Sequence, residues 1–468
     1  MNEYDYLEKA KKNMEKEKYH EVIALCDKAL KINKDLPGAY HFRGNARFEL
    51  GQYDGAIDDF CEVIKREPDI AGHYYDRSWT YCNMDMLEDA IVDMNKALEI
   101  EPKTSAFYYD KGRFEYWLDR YKEAVIDFTV GIELKPTENK YIYRGKAYMA
   151  LEEFDLALTD FCAALEMESE SFRAYYYIGM VNMSTEQYQD AVKNFKKTVE
   201  LCPDYTDAWI KLGMAKIELG HKDALKYFTK AIKLEPKESD YYKLRVVARK
   251  KLLQRQEKLE KLSLGEFIDD DENDIFNEKQ IKDDIKDISQ VLRIEPDHIC
   301  SYKMRAKRYR YLKEYKKALA DYTSIIELDS EDIGSYENRA FCEERVGRYK
   351  EALEDCDKAM ELQNGYGDVI IFGTRGLANY KLGNFKKSLD DFNRTLELED
   401  DTETYYYRGL ANYKLKNFIQ AYEDFAKAIE RNADVELRYD EKIPKLIKFF
   451  LNRRPKNDTP IGLSQMKG

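Results

Sequence analysis

The side chains able to do chemistry in this sequence are histidines, cysteines and carboxylates, and their spacing assembles no reactive site. The five histidines are His20, His41, His73, His221 and His298. None of them has a partner at metal-ligand spacing. No glycine-rich phosphate loop, HExxH zinc motif or GxSxG nucleophile motif occurs. We therefore expect no enzymatic activity, no cofactor and no bound metal.

The eight cysteines stand apart from one another, because no CxxC pair and no zinc-ligand spacing occurs. They are expected to be reduced thiols that pack as small apolar side chains. The first residues are charged where a secretory signal would be apolar. No apolar run reaches the roughly 18 residues of a membrane-spanning helix. The sequence thus predicts a cytoplasmic protein with no membrane span.

The overall charge also restricts the partners. Lys and Arg number 77 against 90 Asp and Glu, which gives a formal net charge of −13. Nucleic-acid-binding proteins carry a basic surface, so a nucleic-acid partner is not expected. A protein or peptide partner is the better prediction, while the oligomeric state cannot be read from these patterns.

One charge pattern recurs along the chain: a basic residue is followed by an aspartate, usually sixteen positions later. The pairs are Arg43 with Asp59, Arg77 with Asp93, Lys111 with Asp127, Arg144 with Asp160, Arg245 with Asp287, Arg305 with Asp321, Arg339 with Asp355, Arg375 with Asp391 and Arg408 with Asp424. Where the basic residue becomes Ile178 or Leu212, the aspartate is lost as well. This covariation predicts an ion pair inside each helical hairpin. A ladder of ligand contacts is the alternative, but a ligand site would not need so many identical copies.

These pairs belong to a repeat of about 34 residues, with copies beginning near residues 3, 37, 71, 105, 138, 172, 206, 239, 299, 333, 369 and 402. In the second copy the recurring positions are Tyr40, Gly44, Ala56, Phe60 and Pro68. Apolar residues at three- and four-residue steps on both sides of a short polar break predict two amphipathic helices. One hairpin cannot bury its own apolar face, so neighbouring copies should stack.

The pattern resembles the tetratricopeptide repeat, W-x2-L-G-x2-Y…A-x3-F…P, over about nine-tenths of the chain. Tyrosine stands at the usual tryptophan position, and a basic residue replaces leucine in ten copies. The resemblance implies an all-α fold, a right-handed α-solenoid of about twelve helix–turn–helix repeats with a concave groove. A C-terminal capping helix should follow, because Ile443, Leu446, Ile447, Phe450 and Leu451 share one helical face.

The copies divide the chain into four regions. Residues 3–238 hold seven repeats and residues 299–435 hold four, while residues 436–468 form the capping helix and a basic tail. Between them, residues 239–298 form an interrupted repeat with a lengthened basic first helix and an acidic insertion at about 252–277. The segment SLGEFIDDDENDIFNE (263–278) holds seven carboxylates and no Lys or Arg, which is typical of a solvated loop.

The resemblance also implies which positions face the groove, one and five residues after the recurring aromatic. The candidate partner-binding residues are His41, Asn45, Tyr75, Trp79, Tyr109, Arg113, Lys146, Tyr176, Lys303 and Lys307. Aromatic side chains mixed with polar donors are typical of binding hot spots. Some relatives hold the acidic tails of chaperones with a Lys/Asn/Arg clamp, and Lys303, Lys307 and Asn338 are the best match. Ile370 and Thr374 stand where further basic residues would be needed, so this clamp is incomplete.

Two functions follow from these patterns. The first is a protein-interaction scaffold or adaptor that binds peptide segments or partner helices in the groove. The alternative is a regulatory arm, in which the acidic insert and the basic tail bind each other or another macromolecule such as RNA. The basic amphipathic C-terminal helix also allows weak adsorption to a membrane surface.

Overall fold

The structure is a computed structural model that describes residues 1–264 and 277–431, together with Pro444, Lys445 and Lys448. Over these residues it contains 24 α-helices and no strand, which confirms the predicted all-α repeat architecture. The chain divides into two compact units, residues 1–234 and 235–468. Apart from Pro444, Lys445 and Lys448, the predicted capping helix lies outside the described residues. The division into 3–238, 239–298, 299–435 and 436–468 stays a prediction.

The N-terminal unit consists of seven helix–turn–helix hairpins, numbered 1 to 7. Its helices are α1 (Glu3–Met14), α2 (Tyr19–Ile32), α3 (Pro37–Glu49), α4 (Tyr53–Arg66), α5 (Ala71–Asn83), α6 (Leu87–Ile100), α7 (Ser105–Trp117), α8 (Tyr121–Leu134), α9 (Glu138–Ala150), α10 (Phe154–Met167), α11 (Phe172–Ser184), α12 (Tyr188–Leu201), α13 (Thr206–Glu218) and α14 (Leu225–Leu234). Each odd-numbered helix is the first helix of its hairpin and packs on the even-numbered helix that follows.

The described part of the C-terminal unit holds hairpins 8 to 12 in the same order. Its helices are α15 (Ser239–Leu264), α16 (Glu278–Ile294), α17 (Ile299–Tyr311), α18 (Tyr315–Leu328), α19 (Ile333–Arg345), α20 (Tyr349–Leu362), α21 (Val369–Lys381), α22 (Phe385–Leu398), α23 (Thr402–Lys414) and α24 (Phe418–Arg431). The first helix of hairpin 8 has 26 residues, twice the 13 of α17. Of the insertion predicted at about 252–277, residues 252–264 continue helix α15, and residues 265–276 lie outside the described residues.

A glycine and a phenylalanine set the spacing inside most hairpins. A Cβ atom built on Gly145 would lie 2.6 Å from the Phe161 ring, and one on Gly179 would lie 2.7 Å from Phe195. The same glycine–phenylalanine pair recurs in hairpins 2, 4, 7, 11 and 12. Where the small residue is Ser78, its partner is Met94, whose sulfur accepts from the serine hydroxyl at 3.2 Å. The glycine and the phenylalanine of a hairpin therefore fit each other, because the phenylalanine ring needs the space that a Cβ atom on the glycine would occupy.

The predicted ion pair joins the two helices of nine hairpins. Arg77 donates from Nε and Nη2 to the two carboxylate oxygens of Asp93, both at 2.7 Å. The other pairs are Arg43–Asp59, Lys111–Asp127, Arg144–Asp160, Arg245–Asp287, Arg305–Asp321, Arg339–Asp355, Arg375–Asp391 and Arg408–Asp424. Burial raises the pKa of Asp93 above its ordinary value despite the neighbouring Arg77. The aspartates are thus held by their arginines in partly dry surroundings.

Several of these arginines also connect neighbouring hairpins, which the sequence analysis did not predict. The remaining nitrogen, Nη1, of Arg144 donates to Thr129 Oγ1 on α8 at 3.0 Å. Arg305 Nη1 likewise donates to Ser289 Oγ at 3.0 Å on the second helix of the preceding hairpin. A single side chain therefore satisfies an aspartate of its own hairpin and a small polar residue of the one before.

Hairpin 8 departs from the pattern at its small-residue positions. Val246 and Asp284 occupy them, and Asp284 is fully buried. Its carboxylate accepts from Arg249 and, at 3.2 Å, from Arg308 Nε on α17 of the next hairpin. Because all three charges of this network are buried, the network holds α15, α16 and α17 together across the interruption of the repeat.

Candidate functional site

The face formed by the first helices is the inner side of the hairpin stack within each unit. The first helices of successive hairpins contact one another: α3 contacts α5, α7 contacts α9, and α19 contacts α21. Successive second helices make no comparable contact among the described residues. A stack whose first helices lie closer together curves towards them. The predicted site residues on α3, α5, α7, α9, α11 and α17 therefore all belong to inner-side helices.

Arg113 is the centre of the strongest cluster on this face. Its guanidinium carbon lies 5.0 Å from the ring centroid of Trp79 and 5.6 Å from that of Tyr109. The rings of Trp117 and Tyr143 lie at 4.9 and 5.6 Å. A cation at these distances from aromatic faces is attracted by the ring quadrupoles. We call Trp79, Tyr109, Tyr116, Trp117, Tyr143 and Tyr177, with Arg113 and Lys146, the aromatic patch.

Lys146 is the second cation of the aromatic patch. Its ammonium lies 4.6 Å from the Tyr143 ring centroid and 4.9 Å from that of Tyr116. Burial lowers the pKa of Lys146, and the charges of Arg113 and Arg173 lower it further. No carboxylate of the described residues forms an ion pair with Lys146. The patch therefore holds a positive charge that is stabilised by rings rather than by an acid.

The only acid that pairs with Arg113 among the described residues is Asp110. Arg113 Nη1 donates to Asp110 Oδ1 at 3.0 Å, and the Tyr75 hydroxyl donates to Asp110 Oδ2 at 2.9 Å. Burial raises the pKa of Asp110, and burial together with Asp110 raises the pKa of Tyr75 to about 12. The Nε atom of Arg113 is buried and has no partner among the described residues. Arg113 is thus only partly satisfied within the chain.

The two candidates on α3 belong to a different group of polar residues. His41 Nε2 lies 3.2 Å from Asn45 Nδ2, and His41 Nδ1 lies 3.6 Å from Asp76 Oδ2. The rings of His41 and His73 are 5.2 Å apart between centroids. Burial lowers the pKa of His41 to about 4 and raises that of Asp76 to about 7. Asp76, which belongs to this group, directly follows Tyr75 in the chain.

Tyr176 has little free surface. It is 5% exposed, and its hydroxyl donates to Asp207 Oδ2 at 2.9 Å. Its ring packs edge-on against Tyr177 and Tyr205 at centroid distances of 5.2 and 5.0 Å. The Tyr176 ring is therefore buried beneath the surface, where it packs against Tyr177 and is not accessible to a partner.

Lys303 and Lys307 lie on α17 of the C-terminal unit and are both exposed. Lys303 Nζ forms an ion pair with Asp332 Oδ1 at 2.5 Å, and the side-chain oxygen of Asn338 accepts from Arg310. Two members of the best-matching clamp are thus engaged by neighbours within their own unit.

The sequence analysis missed most of the rings that complete the aromatic patch. Tyr116, Trp117, Tyr143 and Tyr177 lie outside the two positions that were expected to face the groove. Tyr116 and Trp117 follow Arg113 by three and four residues, so they share its helix face. A search for aromatics on that face of α7 would have found them. Tyr143 and Tyr177 belong to other hairpins, and their approach depends on how the hairpins stack.

Two general properties of the described residues bear on the site. Over residues 1–264 and 277–431, no group of three His, Cys, Asp or Glu side chains is arranged to hold a metal ion. In the same part of the chain, no helix combines the length and the apolar character that crossing a membrane requires.

The geometry so far defines a class: a protein of stacked helical hairpins with an aromatic and cationic inner face. Comparison with known proteins gives the family. Sequence profiles described as tetratricopeptide repeat match residues 37–70, 73–104, 144–206 and 206–238. These stretches of the chain contain tetratricopeptide repeats.

Individual relatives resemble only parts of the chain. Human tetratricopeptide repeat protein 12 is 33% identical over 63 residues, 14% of this chain and 9% of that protein. Subunit 3 of the anaphase-promoting complex of Schizosaccharomyces pombe is 28% identical over 103 residues, 22% of this chain and 16% of that protein. The chain thus spans less than a fifth of either relative. A solved structure, the C-terminal part of a repeat protein from Cytophaga hutchinsonii, has 18% identity and a TM-score of 0.44 over 51% of this chain and 98% of its own.

Proposed function

We propose that this protein is a non-enzymatic scaffold that holds a segment of a partner protein against the inner face of hairpins 3 to 6. The observation that carries the proposal is the charge of the aromatic patch. Two cations, Arg113 and Lys146, lie among six aromatic rings, and of the two only Arg113 is paired with a carboxylate, that of Asp110. A partner that supplies a carboxylate there would satisfy both the Nε of Arg113 and the ammonium of Lys146.

The chemistry of the patch favours a particular kind of segment. The ring faces are already covered by Arg113 and Lys146, so a partner meets the outer sides of these cations and the edges of the rings. An acidic residue would pair with the cations, and an adjacent apolar side chain would pack on Trp117, which is 41% exposed. Large aromatic side chains and arginine are the residue types that dominate binding energy at protein interfaces. We therefore propose an acidic and apolar peptide segment as the partner.

The proposal includes a cytoplasmic location. Its support is that all eight cysteines are free thiols, as expected in a reducing compartment. The alternative function, a regulatory arm made of the acidic insert and the basic tail, falls on residues outside the described part of the chain. It stays a prediction.

The test is affinity capture from a lysate of the source organism, followed by mass spectrometry, with wild-type protein and the Trp79→Ala/Tyr109→Ala variant. Partners bound by the patch should be lost, by about tenfold or more, because two of the rings around Arg113 are removed. A far-ultraviolet melting curve shows whether the variant is still folded.

The matched control replaces two apolar residues of the second helices in the same hairpins. Val92 and Ile126 are both 64% exposed, so the Val92→Ala/Ile126→Ala variant changes a similar region on the other face. It should keep all partners. If the control loses the partners and the patch variant keeps them, binding occurs on the second-helix face and the proposal is wrong. Loss of the partners only on deletion of residues 263–278 would favour the regulatory arm.

A further inference from the structure

A cavity opens on the inner face of the C-terminal unit, between α19, α21, α22 and the start of α23. Its volume is about 200 Å³. Phe341, Ile370, Leu377 and Phe392 form its apolar wall. Ile370 is 39% exposed, so the apolar wall reaches the surface. A space of this size accepts one large aliphatic or aromatic side chain, since apolar cavities of about 150 Å³ bind benzene.

The cavity exists because one residue is missing a side chain. Gly373 occupies the position of α21 that is Tyr75 in hairpin 3, Tyr109 in hairpin 4 and Tyr406 in hairpin 12. A Cβ atom added at Gly373 would meet only the Thr395 methyl group, at 3.9 Å. The neighbours do not fill the space that the ring would have taken. A glycine has none of the aromatic or polar groups that mark a binding residue in a sequence, so this position could not be predicted as part of a site.

The rim of the cavity carries a charge of the opposite sign to that of the aromatic patch. Glu344, Asp401 and Glu403 line it together with one cation, Arg345. Arg345 forms an ion pair with each of two carboxylates, that of Glu344 at 3.1 Å and that of Glu403 at 3.4 Å. Within the described residues, the buried Oε1 atom of Glu403 has no hydrogen-bond partner. Three carboxylates against one guanidinium leave the rim acidic.

We infer that this cavity is a second binding site, and that it takes a partner segment in which a leucine-like side chain adjoins a lysine or arginine. The apolar side chain fills the space left at Gly373, and the cation donates to Glu403 Oε1. This site differs from the aromatic patch in both its unit and its charge. It therefore stands whether or not the proposed function does.

The probe is a fluorescein-labelled peptide of alternating leucine and lysine, titrated against the full chain by fluorescence anisotropy. Two matched peptides replace every lysine by glutamate or every leucine by alanine. The leucine–lysine peptide should bind at least tenfold more tightly than either, because only it offers both the apolar group and the cation. Its affinity should fall as salt is added.

The Gly373→Tyr variant tests whether the leucine–lysine peptide binds in the cavity. The new ring restores the residue type of the equivalent positions and fills the cavity, so the peptide should bind at least tenfold more weakly. Gly72→Tyr is the control, because Gly72 is also a helical glycine with open space and lies in the other unit. It should bind as the wild type does. Equal binding to wild type and Gly373→Tyr, or no binding to wild type, overturns the inference.

Glu403→Gln keeps the test valid if Gly373→Tyr is poorly folded in a melting curve. Removal of this charge should weaken binding severalfold and reduce the salt dependence. An unchanged affinity and salt dependence in Glu403→Gln, or equal binding of the leucine–glutamate peptide, contradicts the proposed chemistry.

Discussion

The most repeated residue pair of the molecule is the arginine and aspartate that join two helices of a hairpin. Arg144 donates to both oxygens of Asp160 at 2.9 and 2.7 Å and also to Thr129 at 3.0 Å. The Asp160 carboxylate is 4% exposed, so it depends on this arginine for its partners. A buried pair of this kind adds little when compared with apolar residues, but removal of one member leaves a charge stranded.

Arg144→Leu should therefore lower the free energy of unfolding by on the order of 1–3 kcal/mol, and Arg144→Leu/Asp160→Leu should recover much of that loss. A double-mutant cycle measured by chemical denaturation gives the coupling energy. The control cycle uses Lys96 and Glu99, an exposed pair at 2.7 Å whose coupling energy should be much smaller, because solvent screens the two charges. Additive losses in the Arg144 and Asp160 cycle would contradict the paired role.

In hairpin 10, the repeated pair is Arg339 and Asp355, and Glu343 is a second acid that interacts with it. It is 7% exposed, and burial raises its pKa well above the ordinary 4.5, with the Asp355 carboxylate raising it further against the opposing effect of Arg339. The folded protein then keeps a proton that the unfolded chain has lost. Stability must therefore fall as the pH rises above 4.5 towards the raised pKa.

Glu343→Gln removes this titration and should make the protein more stable at about pH 8, by on the order of 1–3 kcal/mol. The difference should shrink as the pH is lowered towards about 4, where glutamate is protonated in both states. Urea unfolding at several pH values measures it. Glu354→Gln, on an exposed position of α20, is the control and should show no such trend. A gain that does not depend on pH would contradict the explanation.

At the scale of the helix pair, the hairpin spacing comes from the fit between a small residue and a ring. Gly145 and Phe161 are the tightest example, because an added Cβ would lie 2.6 Å from the ring. Phe161 is fully buried, so its ring cannot move aside into solvent. The helices would have to separate or the ring would have to leave its preferred rotamer.

Gly145→Ala should therefore cost about 1–3 kcal/mol, although alanine is the better helix former. Gly145→Ala/Phe161→Met should recover part of this cost, because hairpin 3 combines Ser78 with Met94 at the same positions. Gly373→Ala is the control: it lies in a helix with open space, and it should stabilise by up to about 1 kcal/mol. Thermal melting of the three variants measures these changes in stability. Stabilisation by Gly145→Ala would show that the ring does not set the spacing.

The fold could be predicted from the sequence because its causes repeat. Opposite charges that disappear together, as at Ile178 and Leu212, identify two side chains in contact. The site was harder to predict, since the rings around Arg113 come from three hairpins and meet only when the hairpins stack. Asp284 could not be assigned either, because its partners Arg249 and Arg308 lie in different hairpins. The cavity at Gly373 lies where a side chain is missing, so a search for residue types that bind partners does not find it.

At the scale of the whole molecule, the central claim is that the inner face of hairpins 3 to 6 is where a partner binds. Its charge and its rings are contributed by α5, α7, α9 and α11, so no single hairpin contains the site. This explains why a long repeat array is needed for a contact surface of modest size.

Hydroxyl-radical footprinting of the wild-type protein, with and without its captured partner, tests this claim most directly. Oxidation of the side chains of Trp79, Tyr109 and Trp117 should fall severalfold in the complex. Tyr4 and Tyr311, each 59% exposed and outside the patch, serve as internal references and should react equally in both samples. Unchanged oxidation of the three patch residues, with protection found instead on the second helices or in residues 265–276, would contradict the account.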